Sequence, residues 1–299
     1  MGETTGRAGD RLDRDVPTRL LLLGLAHQDG TILASEVAPV ADACGHSAEQ
    51  VRSCLRRLVT EGLFVRDGAG RHAVYRPTEA GMVALTTTAA RTRLAYVQDR
   101  AGRGWDRRWH LVAFAVPESR RAARDGLRDH LGALGGAPIQ NGLYASPHPW
   151  EKDVSTEAAR LGITGQVSLA STDDLVVGEP ADPAELAGRL WPVADLAARY
   201  RSFVSTWGFV AEDLEEKRSR HERLPEYVFL AGALAMGVAF QACFDADPLL
   251  PPELLPRPWP GREARDLVLK SRRLALQIRA EHDRPALFRA FDELMEALP

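Results

Sequence analysis

Cysteine is scarce in this chain of 299 residues, and its three cysteines, Cys44, Cys54 and Cys243, form no C-x-x-C pair. An odd and sparse count argues against a disulfide-stabilised secreted domain and against a cysteine zinc site. Residues 1–15 are polar and rich in glycine, and they lack the apolar core of a signal peptide. We therefore expect a flexible N-terminal arm and a cytoplasmic protein.

Catalytic signatures are missing as well. The sequence contains no G-x-S-x-G elbow, Walker loop, H-E-x-x-H or G-x-G-x-x-G motif, and its eight histidines include no i,i+4 pair. Residues 132–138, GALGGAP, follow a predicted helix, which is typical of a helix stop and not of a phosphate loop. The adjacent Asp173 and Asp174 are typical of a surface turn. We therefore predict that the protein is not an enzyme and has neither a metal site nor a cofactor.

One long hydrophobic run is present, Val228–Phe244 (VFLAGALAMGVAFQACF). It is nearly uncharged, but it is only about as long as the shortest membrane spans, and much of it is alanine and glycine. We interpret it as a helix that is buried in a core or at a subunit interface, and we predict no membrane partner.

The order of helical and strand patterns predicts an α+β multidomain protein. An N-terminal helix (Thr18–His27), a short strand (Ile32–Leu33) and a second helix (Ser35–Ala43) precede a capped helix and a strand pair. The predicted divisions are a flexible arm at 1–15, a winged helix-turn-helix domain at 16–90, an Arg-rich linker at 91–108, a ferredoxin-like α/β sandwich at 109–180 and a C-terminal helical domain at 181–299.

The central block alternates strands and helices, which favours the ferredoxin-like sandwich. Its predicted elements are a strand at Trp109–Val116, a helix at Ser119–Leu134, a strand at Ile139–Ala145 with a bulge or bend at Asn141-Gly142, a helix at Lys152–Leu161, and strands at Gln166–Ala170 and Leu175–Val177. The helices predicted after it are Pro183–Trp191, Val193–Trp207, Tyr227–Phe244 and Arg262–His282, with an extended Pro-rich connector at Pro248–Gly261.

The segment Ser47–Glu61, SAEQVRSCLRRLVTE, has the strongest functional signal. Ser47 and Gln50 have the S-x-x-Q spacing of a capping box, and Gly62 ends the predicted helix. Apolar residues at 51, 54, 55, 58 and 59 form one stripe, so the opposite face, which includes Glu49, is exposed. Arginine, glutamine and hydroxyl side chains on such a face suit base edges and phosphates. The predicted DNA contacts of this helix are Ser47, Gln50, Arg52, Ser53, Arg56, Arg57 and Thr60.

A hairpin is predicted directly after this helix, in residues 63–78 (LFVRDGAGRHAVYRPT), and its tip bears Arg66, Arg71 and His72. A helix pair followed by a basic hairpin is the pattern of a winged helix. Between Val51 and Arg108 there are twelve arginines, no lysine and five acidic residues, a local net charge of +7. Because the whole chain carries −3, the rest carries −10, and such segregation favours a phosphate-binding face. A winged helix used for protein contacts is the alternative.

Two further segments combine aromatic and cationic or polar side chains. In residues 102–110 (GRGWDRRWH), tryptophans alternate with arginines, an arrangement that suits a planar anionic ligand. Residues 142–150 (GLYASPHPW) form a strand that runs into an aromatic loop. Packing in the core is the alternative interpretation of both segments. The candidate ligand-binding residues are Arg103, Trp105, Arg107, Arg108, Trp109, Tyr144, His148 and Trp150.

The order of these motifs resembles that of the PaaX-like transcriptional repressors, regulators of phenylacetic acid catabolism. The resemblance extends from Pro17 to about Asp292. Its motifs are VRSCLRRLVTEGLFVRDGAGRHAVYRPTEAG, W-D-x-x-W-H-L-V from Trp105, GLYASP from Gly142, AARYRSF from Ala197 and DPLLPPELLPRPWPG from Asp247, of which the last is the most specific.

The resemblance implies a homodimeric repressor with an N-terminal winged helix, a central domain similar to that of Cas2 proteins and a C-terminal helical domain. It also implies a near-palindromic double-stranded DNA operator, from which an aryl acyl-CoA thioester such as phenylacetyl-CoA releases the protein. Two other functions remain as alternatives: a metal-dependent nuclease acting through the Cas2-like domain, and a winged-helix scaffold for protein interactions.

Overall fold

The structure, a computed structural model, describes residues 18–280 and 287–297, so the predicted arm at 1–15 lies outside the described residues. The chain divides into two compact units. Unit 1 contains the described residues up to Leu94, Arg201–Phe244, and the described residues from Glu263 onward. Unit 2 contains Ala95–Tyr200 and Asp245–Arg262.

Unit 1 begins with three helices and a small antiparallel sheet. Gly62, at φ +72°, separates the third helix from the strand that follows. The elements are α1 (Thr18–Gly24), β1 (Ile32–Leu33), α2 (Ala34–Ala43), α3 (Ala48–Thr60), β2 (Phe64–Asp67), β3 (Val74–Pro77) and α4 (Glu79–Ala101). The strands are ordered β1-β3-β2. Helix α4 continues past Leu94, where this part of unit 1 ends.

Unit 2 contains a four-stranded antiparallel sheet, built in the chain order βαββαβ of the ferredoxin-like arrangement. The elements are β4 (Trp109–Phe114), α5 (Arg121–Ala133), β5 (Ala137–Gln140), β6 (Leu143–Ser146), α6 (Glu151–Arg160), β7 (Val167–Thr172) and α7 (Pro183–Leu190). The strands are ordered β5-β6-β4-β7. One face of the sheet packs on α5 and α6 through Val112, Leu127 and Val154. The other face packs on α7 and the Pro-rich connector through Trp109, Trp191 and Leu250.

Four further helices follow in the part of the chain that the structure describes. Buried residues of three of them, such as Leu214, Leu234 and Leu274, belong to the same core as those of α1, α2 and α3. The Pro-rich connector is irregular apart from a single 3-10 turn at Pro252–Leu254. The helices are α8 (Val193–Ser219), α9 (Glu226–Phe244), α10 (Pro260–Ile278) and α11 (Arg289–Glu296).

The structure corrects several element predictions. The segment Ile139–Ala145 is not one strand but part of the β5–β6 hairpin, because Asn141 and Gly142, with Gly142 at φ +77°, form its two-residue loop. Leu175–Val177 forms no strand among the described residues. Residues 91–101 of the predicted linker are helical and continue α4. Helix α8 extends to Ser219, twelve residues past Trp207. The predicted end of the last long helix, His282, lies outside the described residues.

Candidate nucleic-acid interface

Helix α3 has the capped start and buried stripe that its sequence predicts. The Ser47 hydroxyl accepts a hydrogen bond from Gln50 N (3.2 Å), and Ser47 N donates to Gln50 Oε1 (2.8 Å), so the capping box is complete. The buried residues of α3 are Val51, Cys54, Leu55 and Leu58. Val59 was predicted to share this stripe, but it is 37% exposed because it lies at the edge of the buried arc. The helix therefore presents its polar face to solvent.

The predicted DNA contacts share that exposure. Those on α3 or its cap are exposed, except Ser53, which is half-buried. The three on the hairpin are exposed as well. The exposed set consists of Ser47, Gln50, Arg52, Arg56, Arg57, Thr60, Arg66, Arg71 and His72. Their use in DNA contact stays a prediction.

The hairpin is held firmly at its base. Strands β2 and β3 pair antiparallel from Phe64 opposite Pro77 to Asp67 opposite Val74. At the start of α4, a Cβ on Gly81 would lie 1.9 Å from the carbonyl oxygen of Leu63, so only glycine permits this close approach. The tip therefore projects from a fixed base.

The hairpin tip is short and basic. It contains a 3-10 turn at Gly70–His72, and Gly68 and Gly70 both have positive φ. Arg71 Nε donates to His72 Nε2 at 3.1 Å, which places the two side chains side by side. Such a tip suits phosphates or a minor groove.

A carboxylate lies among the arginines of α3. Glu49 accepts hydrogen bonds from Arg52 Nη2 (2.8 Å) and Arg56 Nη2 (3.2 Å). The hydrogen bond from Arg52 is the main cause that lowers the pKa of Glu49 below its ordinary value. The sequence places Glu49 on the exposed face, but this pairing with two candidate DNA-binding arginines was not predicted.

The segment at the start of α11 contacts α1 and α2 directly. Phe288 N donates to Gly24 O (2.6 Å) at the end of α1. Arg289 Nη2 donates to Leu25 O (2.7 Å) and to Glu36 Oε2 (2.6 Å) on α2. These contacts join residues more than 250 positions apart, and no local sequence pattern signals them.

Helix α9, the long hydrophobic run, belongs to this arrangement. Its residues Phe229, Leu230 and Leu234 are buried in the core shared with α1–α3. By length and composition alone the helix could also cross a membrane, but a single such helix is weak evidence because core helices of soluble proteins pass the same test. About a third of its apolar window (33%) is buried, so the helix packs on this core along part of its surface.

The tryptophan-rich candidates for ligand binding are largely structural. Trp109 is 1% exposed and stacks on Trp191, with ring centroids 6.1 Å apart, while Trp105 packs against it at 5.3 Å. Arg108 donates to the hydroxyl and carbonyl oxygens of Ser171 on β7. Two further members of the segment, Arg103 and Arg107, are exposed.

The other candidates lie elsewhere in unit 2. Tyr144 and Trp150 are buried in the core beneath α5 and α6, on the sheet face opposite Trp109. His148 Nε2 donates to Leu249 O at 2.8 Å, and burial lowers the pKa of this histidine. The structure therefore does not bring the eight candidate residues together in one pocket.

Two other features of unit 2 were not predicted. The buried His110 contacts two carboxylates, Glu151 Oε1 at 2.5 Å and Asp106 Oδ2 at 3.0 Å. A shallow apolar groove of about 340 Å³ is lined by residues that include Ala184, Val193 and Leu255. Among residues 18–280 and 287–297, no group of three or more His, Cys, Asp or Glu side chains is placed to hold a metal ion.

Comparison with known proteins gives matches along most of the chain. Three family models match: "PaaX-like protein" at residues 20–81, "PaaX protein central Cas2-like domain" at 102–187 and "PaaX-like protein C-terminal domain" at 191–282. The transcriptional repressor PaaX of Escherichia coli (strain K12) is 25% identical over 245 residues, which are 82% of this chain and 74% of that protein. Among solved structures, the uncharacterized protein Rv0674 from Mycobacterium tuberculosis has a TM-score of 0.49 and 21% identity, covering 86% of this chain and 93% of that one.

Proposed function

We propose that this chain, which belongs to the PaaX-like family, is a transcriptional repressor that binds double-stranded DNA and acts in the cytoplasm. The observation that carries the proposal is the exposed face of α3, which presents arginine and hydroxyl side chains and is followed in the chain by a basic hairpin tip. Arginine pairs with guanine edges and with phosphates, so both kinds of contact are available on this surface. The characterised relative named above is itself a transcriptional repressor.

In the proposed complex, α3 lies in the major groove and the winged hairpin contacts the adjacent backbone or minor groove. Arg56, near the centre of the exposed face, contacts bases, whereas Arg71 at the hairpin tip contacts phosphate. A homodimer would place two copies of α3 in successive major grooves about 34–36 Å apart, on a near-palindromic operator.

A binding titration tests this proposal. Fluorescence anisotropy with duplex DNA should show affinity that falls steeply as salt rises. Arg56→Ala should cost about 1–3 kcal/mol and relax sequence preference, whereas Arg71→Ala should weaken all sequences alike and lower the salt slope by about 1. Arg160→Ala is the matched control, because Arg160 is an exposed arginine on α6 of unit 2. Unchanged specificity in Arg56→Ala would contradict the proposed docking.

We further propose that an aryl acyl-CoA thioester, such as phenylacetyl-CoA, releases the DNA. The exposed arginines Arg103 and Arg107, with Arg108 and the half-buried Trp105, offer cations and an aromatic face to the phosphates and rings of such a ligand. The buried Trp109 would support this site from within the core, because its ring centroid lies 5.3 Å from that of Trp105. The ligand shifts the equilibrium only by its differential affinity for the free and DNA-bound states.

Gel-shift assays with phenylacetyl-CoA, coenzyme A and phenylacetate separate the parts of this ligand. We expect release by the thioester and weaker release by either fragment, and we expect Arg103→Ala/Arg107→Ala to need more thioester while binding DNA normally. If none of the three compounds releases DNA at excess, the effector proposal fails and the DNA-binding proposal is unaffected.

A further inference from the structure

Glu49 lies on the centre line of the exposed face of α3. At about 100° per residue, Ser53, Arg56 and Thr60 follow it on the same side of the helix, opposite the buried stripe. Its side chain is 67% exposed, and it is the second residue of the helix. The N-terminal residues of a reading helix are the ones that reach base edges. If α3 enters the major groove, Glu49 enters with it.

The neighbouring Gln50 is already engaged. Reading adenine requires the glutamine side chain to accept from N6 and donate to N7. The Oε1 atom that would accept instead receives the hydrogen bond from Ser47 N, which completes the cap of α3. The Ser47 hydroxyl likewise accepts from Gln50 N. Glu49 also accepts two hydrogen bonds, from Arg52 and Arg56, but a carboxylate has about four acceptor sites, so Glu49 keeps acceptor capacity for a base as well as a full negative charge.

The two arginines around Glu49 complete a recognisable pattern of acceptor and donors. Glu49 presents carboxylate oxygens between the guanidinium groups of Arg52 and Arg56. In the major groove a C·G pair offers the cytosine N4 amine as donor and guanine O6 and N7 as acceptors. That edge runs donor, acceptor, acceptor, so the carboxylate of Glu49 with the guanidinium group on one of its sides complements one C·G pair.

The charge of Glu49 also opposes indiscriminate binding. A carboxylate that faces the DNA is repelled by phosphates, so it weakens binding to every sequence unless a base donor satisfies it. A helix that contacted only phosphates would bind DNA more tightly with a neutral residue at this position. Because Glu49 weakens binding to DNA that offers it no base donor, it increases the difference in affinity between the operator and other sequences.

We infer that Glu49 is a specificity-determining residue that accepts a hydrogen bond from the N4 amine of a cytosine in each half-site, beside a guanine contacted by Arg56 or Arg52. This inference rests on the proposed DNA binding and goes beyond it by naming a base and the atom that reads it.

Selection from a pool of random-sequence duplex DNA tests the inference with the full chain. The wild-type protein should enrich a cytosine at one fixed position of each half-site, and replacing that C·G pair should weaken binding about tenfold. Glu49→Ala should lose this preference, bind unselected duplex more tightly and keep the other enriched positions. Glu49→Gln should shift the preference from cytosine toward adenine, because an amide pairs with adenine.

The control is Glu61→Gln, which removes the same charge from the other end of α3, where Glu61 pairs with Arg19 at 2.7 Å. Circular dichroism melting checks that each variant is folded. If Glu61→Gln keeps the preference for cytosine at the fixed position and both Glu49 variants lose that preference, the inference stands. If the Glu49 variants select the same sequence as the wild type, the inference is overturned while the proposed function survives. If the wild-type chain shows no salt-dependent binding to duplex DNA, both are overturned.

Discussion

The ion pair between Arg272 and Asp292 joins α10 to α11, and its removal should loosen the packing of α1. Arg272 Nε and Nη2 donate to the two carboxylate oxygens of Asp292 at 3.0 and 2.7 Å, and Nη2 also donates to Leu287 O at 2.5 Å. The guanidinium lies 5.3 Å from the ring centroid of Phe229 on α9. The next residue after Leu287 is Phe288, whose backbone N–H donates to Gly24 O of α1, so the ion pair holds in place the segment that contacts α1.

Asp292→Ala leaves this guanidinium in place without its carboxylate. The Arg272 side chain is 8% exposed and that of Asp292 is 23% exposed. Breaking a buried pair from one side costs about 3–5 kcal/mol, and we expect the lower value, about 3 kcal/mol, because water already reaches Asp292. Replacing both residues, as Arg272→Met/Asp292→Leu, should restore most of that loss, because no charge then stays buried.

Hydrogen–deuterium exchange measures the effect where it occurs. A loss of about 3 kcal/mol corresponds to exchange about 150-fold faster at the protected amides of α1 and α10, with the sheet of unit 2 unchanged. Asp213→Ala is the matched control, because its partner Lys217 is on the same helix and the carboxylate is 48% exposed, so its loss should matter little. If Asp292→Ala speeds exchange in α1 no more than Asp213→Ala does, the reasoning is refuted.

Three further outcomes follow from burial. Burial lowers the pKa of His148 below its ordinary 6.5, so its contribution to the free energy of unfolding is full above pH 6.5 and is lost as the pH falls below that value. His148→Gln should therefore show a smaller drop in melting temperature between about pH 7.5 and 5.5 than the wild-type protein does. Leu234→Ala should destabilise unit 1 by about 2–5 kcal/mol in urea unfolding, because Leu234 is 1% exposed; a loss below about 1 kcal/mol would place it outside the core. Burial raises the pKa of Cys44 to about 11, so alkylation at about pH 8 followed by mass spectrometry should modify it far faster in unfolded chain than in folded chain.

Local signals made α3 and the hairpin after it predictable. A capping box, a stripe at helical spacing and a glycine at positive φ all act within a few residues, so sequence alone determines that element. The prediction of one strand through Asn141-Gly142 was wrong because this dipeptide was interpreted as a bulge or bend, although Asn-Gly is also a strong local signal of a two-residue hairpin loop. The tertiary structure adds a second requirement for glycine, because a Cβ on Gly142 would be 2.5 Å from Phe114 O on β4. That close approach has no local sequence pattern, whereas the turn itself does.

The aromatic candidates show the limit of composition as a guide to ligand sites. Tryptophan beside arginine has the chemistry of an anion site, but the same spacing suits a strand that buries its tryptophan and exposes its arginine. Trp109 packs in the core on Trp191, and Arg108 binds β7. The two interpretations differ in what the side chains contact, and the contacting residues, Ser171 and Trp191, lie about 60 to 80 positions away along the chain.

The shared core of unit 1 explains why α9 is so apolar and limits how DNA can be released. Phe229 and Leu234 belong to the same core as residues of α1–α3, and the ring centroid of Phe240 lies 5.7 Å from that of Phe203 on α8. The helix therefore has apolar neighbours on more than one side, which favours apolar residues over charged ones. A movement of α3 relative to α9 would expose part of that core, at about 25 cal/mol for each Å² of apolar surface. Repositioning α1–α3 together with α9 avoids that cost. For the proposed repressor we therefore expect an effector to displace α1–α3 together with α9 from the operator, and not to bend α3 away from α9.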